Sequence, residues 1–411
     1  MSFFKRSLKA PFFLVIFCII LALNGCVTAK MLVYDPPIKL GKSRQLEDTI
    51  KPKTYFVDTE DGWHLEILRY RREQSSQDMG PILLLHGFHH NAQFWDVDAE
   101  HSFARYLAVR GFDVWSLSFR GTGGSSTEGF VKVKGLFKFF TSNVPAMFDP
   151  TSYDKTVKNW YIDDYIDQDL PAVLKFVCHQ TGQENISVIG HSLGGVIALG
   201  YVAKNPEKSK IKEIIAISSP GFISQPPNDM LADIGQNAAL YYSTFLINAK
   251  VTGQLGAVFE RGVTPFEVLF YNRHNIDKKT LALMFGKTVE DVPLGVLDQM
   301  RDMIQTGEFS SKDKRYNYSE NFGNVKVPTL FLVGTLDNIA SPTSVYLTYK
   351  AVGSEDKAYR EFSTVNRYTS DYGHNDMVLG KNARSEVFAF IYHWLLRHRP
   401  TPVVIDGDVT L

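Results

Sequence analysis

Short apolar runs alternate with helix-patterned segments along most of this chain. Residues 81–86 carry Ile82, Leu83, Leu84 and Leu85 without a polar break, and residues 114–119, 186–189, 214–217 and 329–333 are further apolar runs. Continuous rather than alternating hydrophobicity over that length predicts strands covered on both faces. Between them, residues 99–110 place Phe103, Tyr106 and Leu107 at helical spacing and end at Gly111. Residues 161–181 put Ile162, Tyr165, Ile166, Leu170, Val173 and Phe176 on one side, and 193–203 and 383–397 read as further helices. Alternating strands and helices of this kind predict an α/β fold: a mostly parallel central sheet with helices on both faces. Ahead of it, residues 55–57 and 65–68 form two strands joined by Asp61-Gly62, a hairpin signal because the tight turn needs positive φ. Residues 359–364 supply a last strand.

Two stretches interrupt the rhythm. Residues 125 to 160 are rich in Phe, Lys and Gly, and residues 221–325, with helical patterns at 230–249 and 294–306, lie between two strands and are too long for a connection. The second predicts an inserted helical cap. The body then divides into a first part at 55–220 and a second at 326–399, with a tail at 400–411.

The N-terminus follows a different logic. Lys5, Arg6 and Lys9 precede an uncharged apolar run from Pro11 to Leu23, then Asn24-Gly25-Cys26. A basic start, an apolar run shorter than the roughly 20 residues of a spanning helix and small residues at its end make a signal peptide over 1–25. The Leu23-x-Gly25-Cys26 ending resembles a bacterial lipobox, although Asn24 is unusual inside it. The resemblance implies cleavage before Cys26, lipid on its sulfur and a location in the cell envelope. An uncleaved anchor and an ordinary secretory signal are the alternatives. Val27, where an Asp implies inner-membrane retention, points to the outer membrane if the organism has one. Residues 26–54, with Pro36, Pro37 and Pro52, read as the lipidated cysteine and a tether.

Composition excludes more than it identifies. Lys+Arg and Asp+Glu number 44 each, so the formal net charge is zero and no basic excess calls for nucleic acid. Of the cysteines, Cys18 leaves with the signal and Cys26 takes lipid, which leaves Cys178 without a disulfide partner and best read as a small buried residue.

The strongest chemical signal is Gly190-His191-Ser192-Leu193-Gly194, followed by Gly195. A Gly-x-Ser-x-Gly match arises by chance on the order of 0.1 times in such a chain. Its place between an apolar strand and a helix marks a nucleophile elbow, in which Ser192 stands clear at the strand end. A serine needs a base, and the base an orienting acid, in the chain order Ser, acid, His. Of the later histidines, His274 is in the cap and His393 and His398 are in or at the end of the closing helix. That leaves His374, in a loop after the last strand. Asp337, just past the apolar strand at 329–333, is the acid; Asp371 and Asp376 are rivals too near His374 in sequence to reach its ring easily. Two N–H donors are needed for an oxyanion. The backbone of Leu193, at the start of a helix, is one, and that of Phe88, after His86-Gly87, is the other. His89 and His90 either line the pocket or are ordinary loop residues. No acidic partner at ligand spacing makes them a metal pair.

These pieces resemble the α/β-hydrolase superfamily, and within it the acid lipases of gastric and lysosomal type. The matches run in order through Thr59-Glu60-Asp61-Gly62-Trp63, Leu84-Leu85-His86-Gly87, Asp113-Val114-Trp115 with Arg120-Gly121, Thr181-Gly182-Gln183, the Ser192 motif, Val327-Pro328-Thr329 and Tyr372-x-His374-x-Asp376. The resemblance implies Ser192, Asp337 and His374 as catalytic triad, Phe88 and Leu193 as oxyanion donors, and a cap over an acyl pocket. Two features depart from that group: Leu193 stands where it usually has Gln, and the segment after Arg120 is long and different.

The expected activity is hydrolysis of an apolar carboxylic ester, such as an acylglycerol, with no metal or organic cofactor. A thioesterase or acyltransferase would use the same triad. A non-catalytic surface lipoprotein that binds lipid or a partner is the reading from another class. Apolar cap residues including Leu231, Phe245, Leu246, Phe259, Phe266, Leu269, Phe270, Met284 and Phe285 either line an acyl tunnel or form the cap's own core.

Overall fold

The computed structural model describes residues 44–73, 78–127, 159–224 and 267–399. The signal peptide, Cys26, most of the tether, the helical pattern at 230–249 and the tail lie outside the described residues.

Nine strands form one sheet. They are β1 (Lys53–Asp58), β2 (Trp63–Tyr70), β3 (Pro81–Leu85), β4 (Asp113–Leu117), β5 (Ser126–Thr127), β6 (Ile186–His191), β7 (Ile211–Ile217), β8 (Thr329–Gly334) and β9 (Lys357–Phe362). The order across the sheet is β1-β2-β4-β3-β6-β7-β8-β9, with β5 on β2. β1, β2 and β5 are antiparallel, as is the β2–β4 pair; β4, β3 and β6 to β9 run parallel. The central strands are buried along their whole length, which explains their unbroken hydrophobicity.

Successive residues of each strand feed opposite layers. Leu83, Leu85, Trp115, Val188, Ile214 and Phe331 face one core, beneath helices α2 (Leu170–Thr181) and α3 (Leu193–Lys204). Ile82, Leu84, Val114, Ile189, Ile215 and Leu332 face the other, with α1 (Phe103–Ala108) and the closing helix Ala389–Arg397. The insertion between β7 and β8 contributes α4 (Lys278–Thr288) and α5 (Leu294–Thr306) among the described residues. Its last part does not stand apart. Phe309, Tyr318 and Phe322 are fully buried in the same core as α3.

Three of the elements that differ from the sequence reading are helical. The helix expected at 99–110 begins only at Phe103, because Asp98 accepts from the Glu100 and His101 amides and holds a turn there, after which Ser102 caps the helix. The helix at 161–181 contains a π-helical turn at Tyr165–Asp169. Pro171 follows it and lacks the N–H an α-helix would need, and the wider turn carries Asp169 inward to Arg120. A helix over Pro342–Ala351 was not anticipated, although Ser341 accepting from the Ser344 amide, with Pro342 next, is an ordinary helix start.

Arg120 connects three parts of the body. Its guanidinium bonds the Asp169 carboxylate from Nε at 2.8 Å and Nη2 at 2.7 Å, and Asp61 in the β1–β2 turn from Nη1 at 2.6 Å. Asp169 is fully buried, whereas the Asp61 side chain is 37% exposed. Arg120→Ala should therefore cost about 3–5 kcal/mol, the penalty for a buried charge left alone. Asp61→Asn should cost far less, because solvent can replace that partner. Urea unfolding of the two variants measures the difference, and equal losses would contradict it.

Candidate active site

β6 ends at His191, and α3 starts at Leu193. Ser192 alone makes the turn and takes φ 52°, ψ −122°. A non-glycine residue there is strained, and its neighbours hold it. The Ser192 amide continues the strand ladder to Ile217 O at 2.8 Å, while its carbonyl already accepts from Val196 at 3.2 Å in the helix. The turn is possible only because strand and helix touch backbone to backbone. A Cβ on Gly190 would collide with Gly194 and Gly195, and one on Gly194 with the carbonyls of Leu85 and His86.

Asp337 lies in the loop after β8. Its carboxylate accepts from the Ile339 and Ala340 amides at 3.0 and 2.7 Å, which fixes its orientation. His374 Nδ1 donates to both its oxygens, at 3.0 and 2.9 Å, and both side chains are buried. With the proton on Nδ1, Nε2 carries a free lone pair. Asp371 and Asp376 serve other partners. Asp371 accepts from the Thr364 amide and hydroxyl. Asp376 accepts from the Gly373 and Asn272 amides at 3.0 Å and from Asn275 Nδ2 at 2.8 Å, and so holds the His374 loop against the insertion. His191 joins the elbow to that loop, since its Nε2–H donates to the His374 carbonyl at 3.1 Å and the two rings lie 4.7 Å apart.

Gly87 comes closest to the nucleophile from the β3 side: a Cβ there would sit 3.0 Å from Ser192 Cβ and 2.9 Å from His191 Nδ1. Its carbonyl accepts from His86 Nδ1 at 2.8 Å and from the His90 amide at 3.4 Å. A trans peptide points its N–H opposite to its carbonyl. Fixing the Gly87 carbonyl therefore also fixes the Phe88 N–H. The Phe88 and Leu193 amides have no protein acceptor among the described residues. Cys178 is buried and packs under α3's face of the sheet, away from these groups.

Four histidines around the site are held neutral. Burial lowers His86 to about 4 and His89 to about 3, and pushes His90 and His191 well below the usual imidazole range. His90 stacks on Phe94 at 4.4 Å, and Phe94 packs against His191 at 4.9 Å. Among the described residues, no cluster of three or more His, Cys, Asp or Glu side chains could hold a metal. Sequence reasoning missed the structural roles of His191 and Asp376, although the Gly190-His191-Ser192 and Tyr372-x-His374-x-Asp376 motifs contain them.

A family model of the alpha/beta hydrolase fold matches residues 80–372. The chain belongs to the α/β-hydrolase family. Its relatives lie in the acid lipase branch that the motifs resemble. A tear acid lipase-like protein of Mesocricetus auratus is 25% identical over 367 residues, which cover 80% of this chain and 83% of that one. The lysosomal acid lipase/cholesteryl ester hydrolase of Homo sapiens is 29% identical over 235 residues, 53% of this chain and 54% of the relative. Among solved structures, an esterase from Exiguobacterium antarcticum superposes with a TM-score of 0.52 at 16% identity, covering 84% of this chain and 99% of that chain, a likeness of fold.

The neutral imidazoles of this α/β-hydrolase make a pH prediction. Their folded pKa values lie below the unfolded 6.5, so the stability they contribute is complete above 6.5 and falls as pH drops towards 4. Asp169 and Asp376, raised by burial to about 6, act in the opposite sense: their contribution is full below the unfolded value and is lost as pH rises through 6. Four imidazoles outweigh two carboxyls. Acidification from 6.5 to 4.5 should lower stability by roughly 2–3 kcal/mol per pH unit. A urea midpoint that is flat or rising over that range would show the cluster to be charged in the folded state.

Proposed function

We propose that this lipase-like ester hydrolase is a serine esterase that cleaves carboxylic esters of apolar acyl chains through an acyl-enzyme. The observation that carries the reading is the oriented pair His374–Asp337, its loop tied through His191 to the elbow that presents Ser192.

Ser192 Oγ attacks the ester carbonyl and passes its proton to His374 Nε2. The Asp337 carboxylate stabilises the imidazolium that forms. The carbonyl oxygen becomes an oxyanion and takes hydrogen bonds from the Phe88 and Leu193 amides, the second at the positive end of α3. Collapse of the intermediate breaks the C–O bond, and the alcohol leaves with the proton from His374. Water then attacks the acyl-enzyme, giving its proton to His374, and Ser192 is released with its proton restored. Neutral His86, His90 and His191 suit this chemistry, because no second cation competes for the oxyanion or raises the cost of charging His374.

An apolar acyl group is supported by the acid lipase relatives, one of which is named for triacylglycerol: a triacylglycerol lipase of Arabidopsis thaliana is 21% identical over 377 residues. It is supported too by the proposed lipid on Cys26, which would hold the enzyme at a membrane surface. The full chain in detergent should hydrolyse p-nitrophenyl esters between C2 and C16, with Ser192→Ala reducing kcat at least about a thousandfold. Activity that survives in the variant would sink the serine mechanism. No turnover by folded wild type, combined with labelling by a fluorophosphonate, would point to a different acyl acceptor. No turnover without labelling would point to a binding protein.

The anchor has its own test. Cells fed radiolabelled palmitate should label the wild-type chain and not Cys26→Ser, which should move from the membrane to the soluble fraction. Equal labelling of both would remove the lipoprotein reading and leave the hydrolase reading untouched.

A further inference from the structure

We propose that Glu290, from the insertion between β7 and β8, is a positioning residue that braces the oxyanion loop in its working conformation. The inference rests on Phe88 as an oxyanion donor.

The loop has a conformational problem. Gly87, Phe88, His89 and His90 form a turn closed by the His90 N–H on the Gly87 carbonyl, and His89 takes the third place with φ 53°. That position normally belongs to glycine or asparagine. A histidine there is strained and stays only where its surroundings hold it. The strained residue directly follows Phe88, whose N–H is to meet the oxyanion.

The surroundings that hold it come from α4 and the segment after it. The Glu290 amide donates to the His89 carbonyl at 2.8 Å, which fixes the strained peptide itself. Glu290 Oε1 accepts from Asn91 Nδ2 at 2.9 Å and from the Gly123 amide at 3.1 Å. His90 Nδ1 donates to Thr288 Oγ1 at 3.0 Å, and Asn91 Nδ2 also donates to Lys287 O at 3.0 Å. His90, Asn91 and Glu290 are all buried, at 1, 2 and 7% exposure. Three consecutive loop residues are thus gripped by one stretch of the insertion some 200 residues away in sequence. The Glu290 side chain also reaches the turn after β4, and so ties Asn91 to that turn. None of these groups needs to touch substrate. Their effect is to keep the Gly87–Phe88 peptide aimed, since a donor displaced by about 1 Å can cost a hundredfold in rate.

Four variants test this on p-nitrophenyl esters, each checked for folding by circular dichroism: Glu290→Ala, Glu290→Gln, His89→Gly and the double variant His89→Gly/Glu290→Ala. Glu290→Ala should lower kcat about 10- to 100-fold with KM changed by less than about threefold. Glu290→Gln keeps an oxygen that accepts from Asn91 and Gly123 and should stay within about threefold of wild type. Glycine at position 89 adopts positive φ without support, so the double variant should recover most of the lost kcat. A merely structural role for Glu290 would show no such recovery. Unchanged kcat in Glu290→Ala, or a double variant no faster than it, overturns the proposal. Should Glu290→Ala not fold, Thr288→Val removes the acceptor for His90, together with a donor to the Met284 carbonyl within α4, and should lower kcat about threefold; wild-type kcat there overturns the proposal equally. If Ser192→Ala keeps wild-type activity, it is the serine mechanism that fails, and that result is separate from the outcome at Glu290.

Discussion

The structure turns on the contact between two backbones at the β6–α3 junction. A strand that is buried on both faces has to end, reverse and launch a helix packed back against the same sheet, with one residue for the turn. Ser192 absorbs the whole change of direction at φ 52°, and Gly190 and Gly194 supply the absence of side chains that lets the helix come within contact of β6 and β3. Strain of this kind costs on the order of 1–3 kcal/mol. It is offset by the continuous burial of β6 and of nearly every residue of α3. The consequence is geometric. Ser192, the Leu193 amide that follows it and the close approach of Gly87 come together at the strand ends, where a parallel sheet of this order gathers its loops.

Burial sets the electrostatics of that point. Five histidines surround the elbow, yet only His374 has a carboxylate on its ring. The others are kept neutral by desolvation, and their hydrogen bonds go to neutral acceptors: His86 to the Gly87 carbonyl, His90 to Thr288, His191 to the His374 carbonyl. This is a division of labour by partner. On the proposed mechanism His374 becomes charged in a dry site and requires a counter-charge already in place, which Asp337, held by two backbone amides, would supply. The remaining imidazoles act as rigid, flat spacers whose polar edges position backbone.

What could be read from the sequence was what is local. Strands β3, β4, β6, β7 and β8 stood out because burial on both faces removes the polar alternation, and the elbow stood out because its glycines are forced by contacts within one turn. Asp337 and His374 were legible through their places after strands. Helix α1 was read too long because Asp98 captures two amides that helical periodicity alone assigns to the helix. The π turn before α2 escaped because its reason, Asp169 reaching Arg120, lies 49 positions away. Glu290 was invisible for the same reason in stronger form. Its partner Asn91 lies 199 positions away, and nothing in either neighbourhood marks a glutamate that will be buried. For Asp371 and Asp376 the structure adds a reason that the sequence did not carry. Their carboxylates are unavailable because backbone and amide donors already occupy them.

The insertion between β7 and β8 is bound into this arrangement at both catalytic loops. Asn272 and Asn275 bond Asp376 beneath His374, and residues 287–290 grip the loop that carries Phe88. A cap that merely roofed a pocket would change which acyl chains fit and leave the chemical step alone. On the proposed mechanism, one whose lower part supports the His374 loop and the Phe88 loop together cannot vary so freely, because a shift of its frame would move both the proposed base and the proposed oxyanion donor. The freedom to alter specificity therefore lies in the parts of the insertion that touch neither loop. The segments around Asn272 and Glu290 belong, by their hydrogen bonds, to the catalytic body.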